Sequence, residues 1–173
     1  MGVRGPESAH RGGTLTVEGF DFLNDEIDPA VAYSVTEWTL LSLTNDGLLG
    51  FKRIPGIDGA TLVPNLARAI PEPTDGGRTY TFRLRSGIRY STGEPVRPED
   101  FRRTFERVFA NLDPDGYPSG GVQYFSDIVG ADDCIPGNPC DLSAGIVADG
   151  DTGFVTFHLE RPRPDFLLRL TTP

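Results

Sequence analysis

Two cysteines carry the most specific chemistry in the chain. Cys134 and Cys140 enclose Ile-Pro-Gly-Asn-Pro, and both Pro136-Gly137 and Asn138-Pro139 are turn dipeptides that fold the segment back on itself. The spacing admits a disulfide, which would place the chain in an oxidising compartment; two free thiols in a reducing one are the alternative. A zinc site is not expected, because His10 and His158 are distant from each other and no further soft ligand accompanies them. Asp149-Gly-Asp151 departs from the EF-hand pattern and reads as a turn. No Walker-type phosphate loop occurs, and His158, alternating with core positions on a strand, is expected to be a packed or surface histidine and not a general base. No catalytic residue, cofactor or metal is therefore expected.

The elements that must position these groups are short. Of 173 residues, 21 are glycine and 15 proline, which favours brief strands joined by turns over a helical bundle. With 38% hydrophobic residues and 11 phenylalanines, a real core is expected. The formal charge of −9 opposes binding to nucleic acid or to an anionic membrane. The first ten residues are polar and have no apolar signal core, so either the protein is cytosolic or its export signal lies outside this chain.

Residues 1–12 read as a flexible lead, and Gly13–Val17 alternates as a strand. Ser34-Val-Thr-Glu37 is a capping box opening a helix to about Leu43, with Val35, Trp38 and Leu41 on one stripe. Leu48–Phe51 is strand-like, and Asn65 to Ala69 reads as a short helical stretch. Thr79–Arg85 alternates strictly, Tyr80, Phe82 and Leu84 on one face and Thr81, Arg83 and Arg85 on the other. Pro98 opens a helix whose Phe101, Phe105, Val108 and Leu112 form an apolar stripe, ending near Asn111. A short helix over Gln123–Val129, a hairpin over Ile146–Leu159 and a helical start at Asp165–Leu170 complete the pattern. Eight arginines fall between Arg78 and Arg107, and nine acids without a base between Val108 and Glu160; the arginines read as a solvated face balanced by acidic loops.

Leu62-Val-Pro-Asn-Leu-Ala67, Asp75-Gly-Gly-Arg-Thr-Tyr-Thr-Phe-Arg-Leu-Arg-Ser-Gly-Ile-Arg-Tyr90, Thr92-Gly-Glu-Pro-Val96 and Pro98-Glu-Asp-Phe101 follow one another in a long ordered block. This block resembles the signature stretch of the family 5 extracellular solute-binding proteins, the oligopeptide, dipeptide and nickel receptors of ABC importers. Gly12-Gly-Thr-Leu-Thr-Val17, Ile27-Asp-Pro29, Phe154–Leu159 and Arg161-Pro-Arg-Pro-Asp-Phe-Leu167 come in the order of that family.

The resemblance implies an α/β fold of the periplasmic-binding-protein-like type II, truncated to a mixed α+β piece. Residues 13–33 would be the first strand and loop of ligand lobe I. Residues 34–173 would be the additional small domain, up to where the chain returns to lobe I. It further implies capture of a peptide or similar small solute outside the cytoplasm and delivery to the permease subunits of an importer, with no enzymatic activity. Any membrane contact would run through an anchor or the permease. In peptide-binding relatives the segment after the Asp-Pro pairs with the ligand backbone. Here that points to Tyr33, Ser34 and Val35, with Tyr117 walling the cleft; Tyr33 as a helix staple and Ser34 as its cap is the alternative. Two rival functions stay open: a solute-sensing module of a regulatory fusion, and a hydrolase using His158.

Overall fold

A computed structural model describes residues 13, 14, 16, 27–32, 34–112, 116 and 119–172. Of the strand expected over Gly13–Val17, Leu15 and Val17 lie outside the described residues and Gly13, Thr14 and Thr16 are not in a strand; Tyr33 and Tyr117 also lie outside the described residues. The chain is mixed α/β. In order it forms α1 (Val35–Thr44), β1 (Leu49–Phe51), β2 (Leu62–Pro64), β3 (Thr79–Arg83), α2 (Pro98–Ala110), α3 (Gly121–Phe125), β4 (Ile146–Asp149), β5 (Phe154–His158) and α4 (Phe166–Arg169), with single 3-10 turns between them.

The alternation in β3 and β5 decides the architecture. The two strands pair antiparallel with Phe82 opposite Val155 and Tyr80 opposite Phe157, so apolar side chains from both collect on one face. β4 pairs with the other side of β5, giving the order β3-β5-β4. Tyr80, Phe82, Ile146, Val155 and Phe157 are buried on the inner face. On the opposite face Thr81 and Thr156 meet hydroxyl to hydroxyl at 3.1 Å, and the Arg83 guanidinium lies 5.6 Å from the centre of the Phe154 ring.

α2 covers the inner face. Its start is set by Pro98 at the first helical position, by Glu99 and Asp100 in the first turn, and by the Arg97 N–H donating to Asp100 Oδ2 at 2.8 Å. The stripe expected from Phe101 to Leu112 is rotated. Phe105 and Phe109 are the buried residues, Phe101 and Val108 are half-buried, and Leu112 is exposed. The helix ends at Ala110, one residue before Asn111 turns extended, so Leu112 no longer follows the helical period. The rings of Phe105, Phe125, Phe157 and Phe166 interlock edge to face, with centroids 4.8 to 5.5 Å apart from one to the next.

A second sheet, β1 and β2, is joined to the first through Ala67, which bridges Leu84. The helical stretch expected over Asn65–Ala69 does not form. Leu66, Ala67 and Arg68 donate their N–H groups to the carbonyls of Gly47, Leu48 and Arg83, and the Arg85 N–H returns to Leu66. These partners, distant in sequence, hold the segment extended between the two sheets. Gly145, before β4, sits where a Cβ would lie 2.1 Å from the Val129 carbonyl oxygen. Only glycine allows that approach.

Cys134 and Cys140 are joined by a disulfide, with Cα atoms 4.8 Å apart. The loop they close rests on the end of α2, where the Gly137 N–H donates to the Ala110 carbonyl at 2.7 Å. Arg102 and Glu106 on α2 pair at 3.4 Å, and Glu106 accepts from the Leu142 N–H, so the arginine helix and the acidic loop are in direct contact.

Candidate functional site

Residues 27–38 form the candidate region, and their shape follows from a turn at Asp28. Its carbonyl accepts from the N–H groups of Val31 and Ala32 at 3.0 and 2.8 Å, and its Oδ1 accepts from the Ala30 N–H at 3.0 Å. Three longer fastenings hold the turn. The Arg107 guanidinium on α2 grips both carboxylate oxygens of Asp28, Nη1 to Oδ1 at 2.6 Å and Nη2 to Oδ2. The buried Ser119 hydroxyl donates to the Ala30 carbonyl, and the Trp38 indole N–H donates to the Ala32 carbonyl at 3.1 Å. The Arg107 guanidinium, opposed in part by desolvation, holds the Asp28 carboxyl below its ordinary range.

Beyond the turn the expected capping box opens α1. The Glu37 N–H donates to Ser34 Oγ at 3.2 Å, and the Ser34 N–H donates to Glu37 Oε2 at 2.9 Å. The expected stripe of Val35, Trp38 and Leu41 is only partly formed. Leu41 is buried, whereas Val35 is 78% exposed and Glu37 takes an inner place. The capping bond turns the Glu37 carboxylate back toward the Ser34 N–H.

Between this segment, α2 and α3 lies a cavity of about 310 Å³. Pro29, Ala30, Ala32 and Trp38 form one wall, Phe101 and Val108 the other. Close approach of α3 to α2 shapes it, since a Cβ on Gly121 would meet Val108 Cγ1 at 2.7 Å. Ser34 and Val35 are not among its lining residues; they stand at the helix start that follows its wall. Arg107 and Ser119 carry no sequence signal as partners of this turn, and Trp38 showed itself only as a stripe residue. The Ile-Asp-Pro motif was a signal for Asp28, but nothing local ties it to an arginine 79 residues later.

The remaining polar centres do different work. Asp127, only 7% exposed, binds Arg161 Nε at 2.5 Å and also Arg163 Nε, tying the end of α3 to the return from β5. Desolvation pushes its carboxyl up, but the two guanidinium groups outweigh it and the net shift is down. His158 Nδ1 stands 3.3 Å from the Thr79 hydroxyl, across the β3–β5 pair. Asp149 Oδ1 accepts from the N–H groups of Asp151 and Thr152, as a hairpin turn requires. Among the described residues no group of three or more His, Cys, Asp or Glu is placed to hold a metal ion. Among them too, no helix is long and apolar enough to cross a membrane.

The sheet, its covering helix and the open segment beside them define a piece of a solute-binding fold of the periplasmic type II class. The pheromone receptor PrgZ, solved for its mode of peptide binding, superposes with a TM-score of 0.70 at 27% identity, over 84% of this chain and 27% of that one. The sequence profile of the bacterial extracellular solute-binding proteins, family 5 (middle region), matches residues 61–173, and the chain belongs to that family. The probable deoxycholate-binding periplasmic protein YgiS of Escherichia coli (strain K12) is 34% identical over 125 residues, 71% of this chain and 22% of that protein. A dipeptide-binding protein of Lactococcus lactis subsp. cremoris (strain MG1363) is 31% identical over 127 residues, 72% of this chain and 21% of that protein. The chain thus spans about a fifth of the length of these relatives.

Proposed function

We propose that this chain is part of the substrate-binding component of an ABC importer, which captures a peptide outside the cytoplasm and hands it to the permease without altering it. Membership of family 5 is the observation that carries the reading, and the peptide-binding names of PrgZ and the Lactococcus relative favour a peptide as solute. Residues 13–33 belong in this reading to the ligand lobe and residues 34–173 to the small domain beside it. Capture is by closure of lobes around the ligand, with no covalent chemistry. The Cys134–Cys140 disulfide agrees with a location outside the reducing cytoplasm.

Ser34 and Val35, with Tyr33 before them, are the proposed contact with the ligand backbone, and Tyr117 is proposed to wall the cleft. The capping box takes the N–H groups of Ser34 and Glu37, and the N–H groups of Val35 and Thr36, which have no partner within the helix, are the donors offered to an extended peptide. Main-chain pairing of this kind gives affinity without reading side chains.

Thermal unfolding of the full-length receptor against di- to pentapeptides, with deoxycholate as the competing solute class, tests the proposal. A peptide at 100 times its Kd adds roughly 2.7 kcal/mol of stability. A shift with deoxycholate and none with any peptide would transfer the reading to another solute.

A further inference from the structure

The turn that leads into α1 is fastened to elements far away in the chain. Asp28 and Arg107 are 79 residues apart, and Ser119 and Ala30 are separated by 89. The fork of Arg107 fixes both position and angle of the Asp28 carboxylate, because two parallel N–H···O bonds leave it little rotation. Ser119 is itself held, its Oγ accepting from the Gly121 N–H at 3.2 Å. Between these two points and the Trp38 bond, the backbone of residues 28–32 has no freedom to slide along the cavity wall. Of its apolar side chains, Ala30 is buried, Val31 and Ala32 are half-buried, and Ile27 and Pro29 are exposed. These polar fastenings therefore help to set where the chain arrives at Ser34.

We infer that the Asp28–Arg107 pair is a positioning latch: Arg107, on the cavity wall, acts through Asp28 and the turn to set the place of Ser34 and Val35, where the Val35 N–H is the donor a peptide would meet. The inference rests on the peptide-binding reading for its consequence, not for the latch itself. It also gives the arginine helix a role its charge pattern did not reveal, since one of its arginines is committed to the ligand-side segment.

The test uses the full-length receptor and the variants Asp28→Asn, Arg107→Gln and the double variant, with Ala-Ala-Ala as probe. Hydrogen exchange of the ligand-free protein is read over residues 28–38 and, as an internal control, over β3 and β5. Each single variant is expected to speed exchange in 28–38 on the order of tenfold while the sheet is unchanged, and the double variant to add nothing further. Affinity for Ala-Ala-Ala is expected to fall about fivefold or more in each variant, on the scale of one misplaced ordinary hydrogen bond to the ligand. Unchanged exchange over 28–38, or additive effects in the double variant, would overturn the latch. Faster exchange with unaltered affinity would overturn its role in ligand positioning. If the parent protein does not bind Ala-Ala-Ala, the peptide reading is what suffers, and the exchange arm still decides the latch.

Discussion

The β3–β5–β4 sheet with α2 and the segment from residue 27 to 38 are held by opposite means. In the sheet, Phe82, Phe157, Ile146 and Val155 are fully buried, and the Phe157 ring packs edge to face against those of Phe82, Phe105 and Phe166. In the segment, Val35 and Ile27 are exposed and the backbone is fixed by a carboxylate, a hydroxyl and an indole N–H. Burial is non-directional and cooperative, so the sheet moves as a unit. Polar fastenings are directional and individually modest, so the segment can be loosened without unfolding its support. Such a division suits a binding protein, which needs a rigid platform and a contact strip that can be tuned.

The contrast is broken most directly at Phe157. Its ring touches those of Phe82, Phe105 and Phe166, and truncation to alanine removes the centre of the cluster. Phe157→Ala is expected to cost about 3–5 kcal/mol in denaturant unfolding. A loss below about 1 kcal/mol would mean that the sheet is not the supporting core.

Opening the Cys134–Cys140 loop comes next. It spans a sequence separation of 6, so chain entropy alone predicts about 2 kcal/mol for the double serine variant or for reduction. The loss should be felt at the end of α2, where Gly137 meets Ala110, and be visible as faster exchange there. If exchange rose instead in residues 28–38, the two regions would not be separable as described.

Asp127 tests the polar side of the platform. Its folded carboxyl lies below the ordinary value, so its ionised form stabilises the fold above the unfolded pKa near 4, and that contribution disappears as pH falls through the folded pKa. Asp127→Asn is expected to cost on the order of 1–2 kcal/mol at pH 7 and to flatten the acid limb of the stability curve between about pH 5 and 3. Equal slopes for parent and variant across that range would remove the two arginine bonds from the account.

The sequence made the platform legible and the segment only in part. Strict alternation in Thr79–Arg85 and Phe154–Leu159 marks one face for burial, and the structure buries that face. The capping box at Ser34 was equally readable, because its partners are three residues apart. What failed depended on distant partners. Asn65–Ala69 has no helix because Gly47, Leu48 and Arg83 take its N–H groups, and Leu112 leaves the α2 stripe because the helix ends before it. The Asp28–Arg107 pair has no signature at all in a chain with fifteen arginines, since any of them offers the same fork.

The finest test uses a substitution that the platform should not notice. Val35 is the first helical residue after its cap, and Ser34 before it is extended at φ −89° and ψ 153°. Both features suit proline at position 35, which fits the first turn and requires an extended predecessor. Val35→Pro is therefore expected to change stability by less than about 0.5 kcal/mol, because the N–H it deletes has no partner inside the helix. That N–H is nevertheless one a peptide would use if it pairs with this strip. Affinity for a bound peptide should then fall by the worth of a single hydrogen bond, about 1 kcal/mol or roughly fivefold, with the melting temperature unchanged. Unaltered affinity would move the ligand contact off Val35, and a large loss of stability would show that this turn belongs to the platform after all.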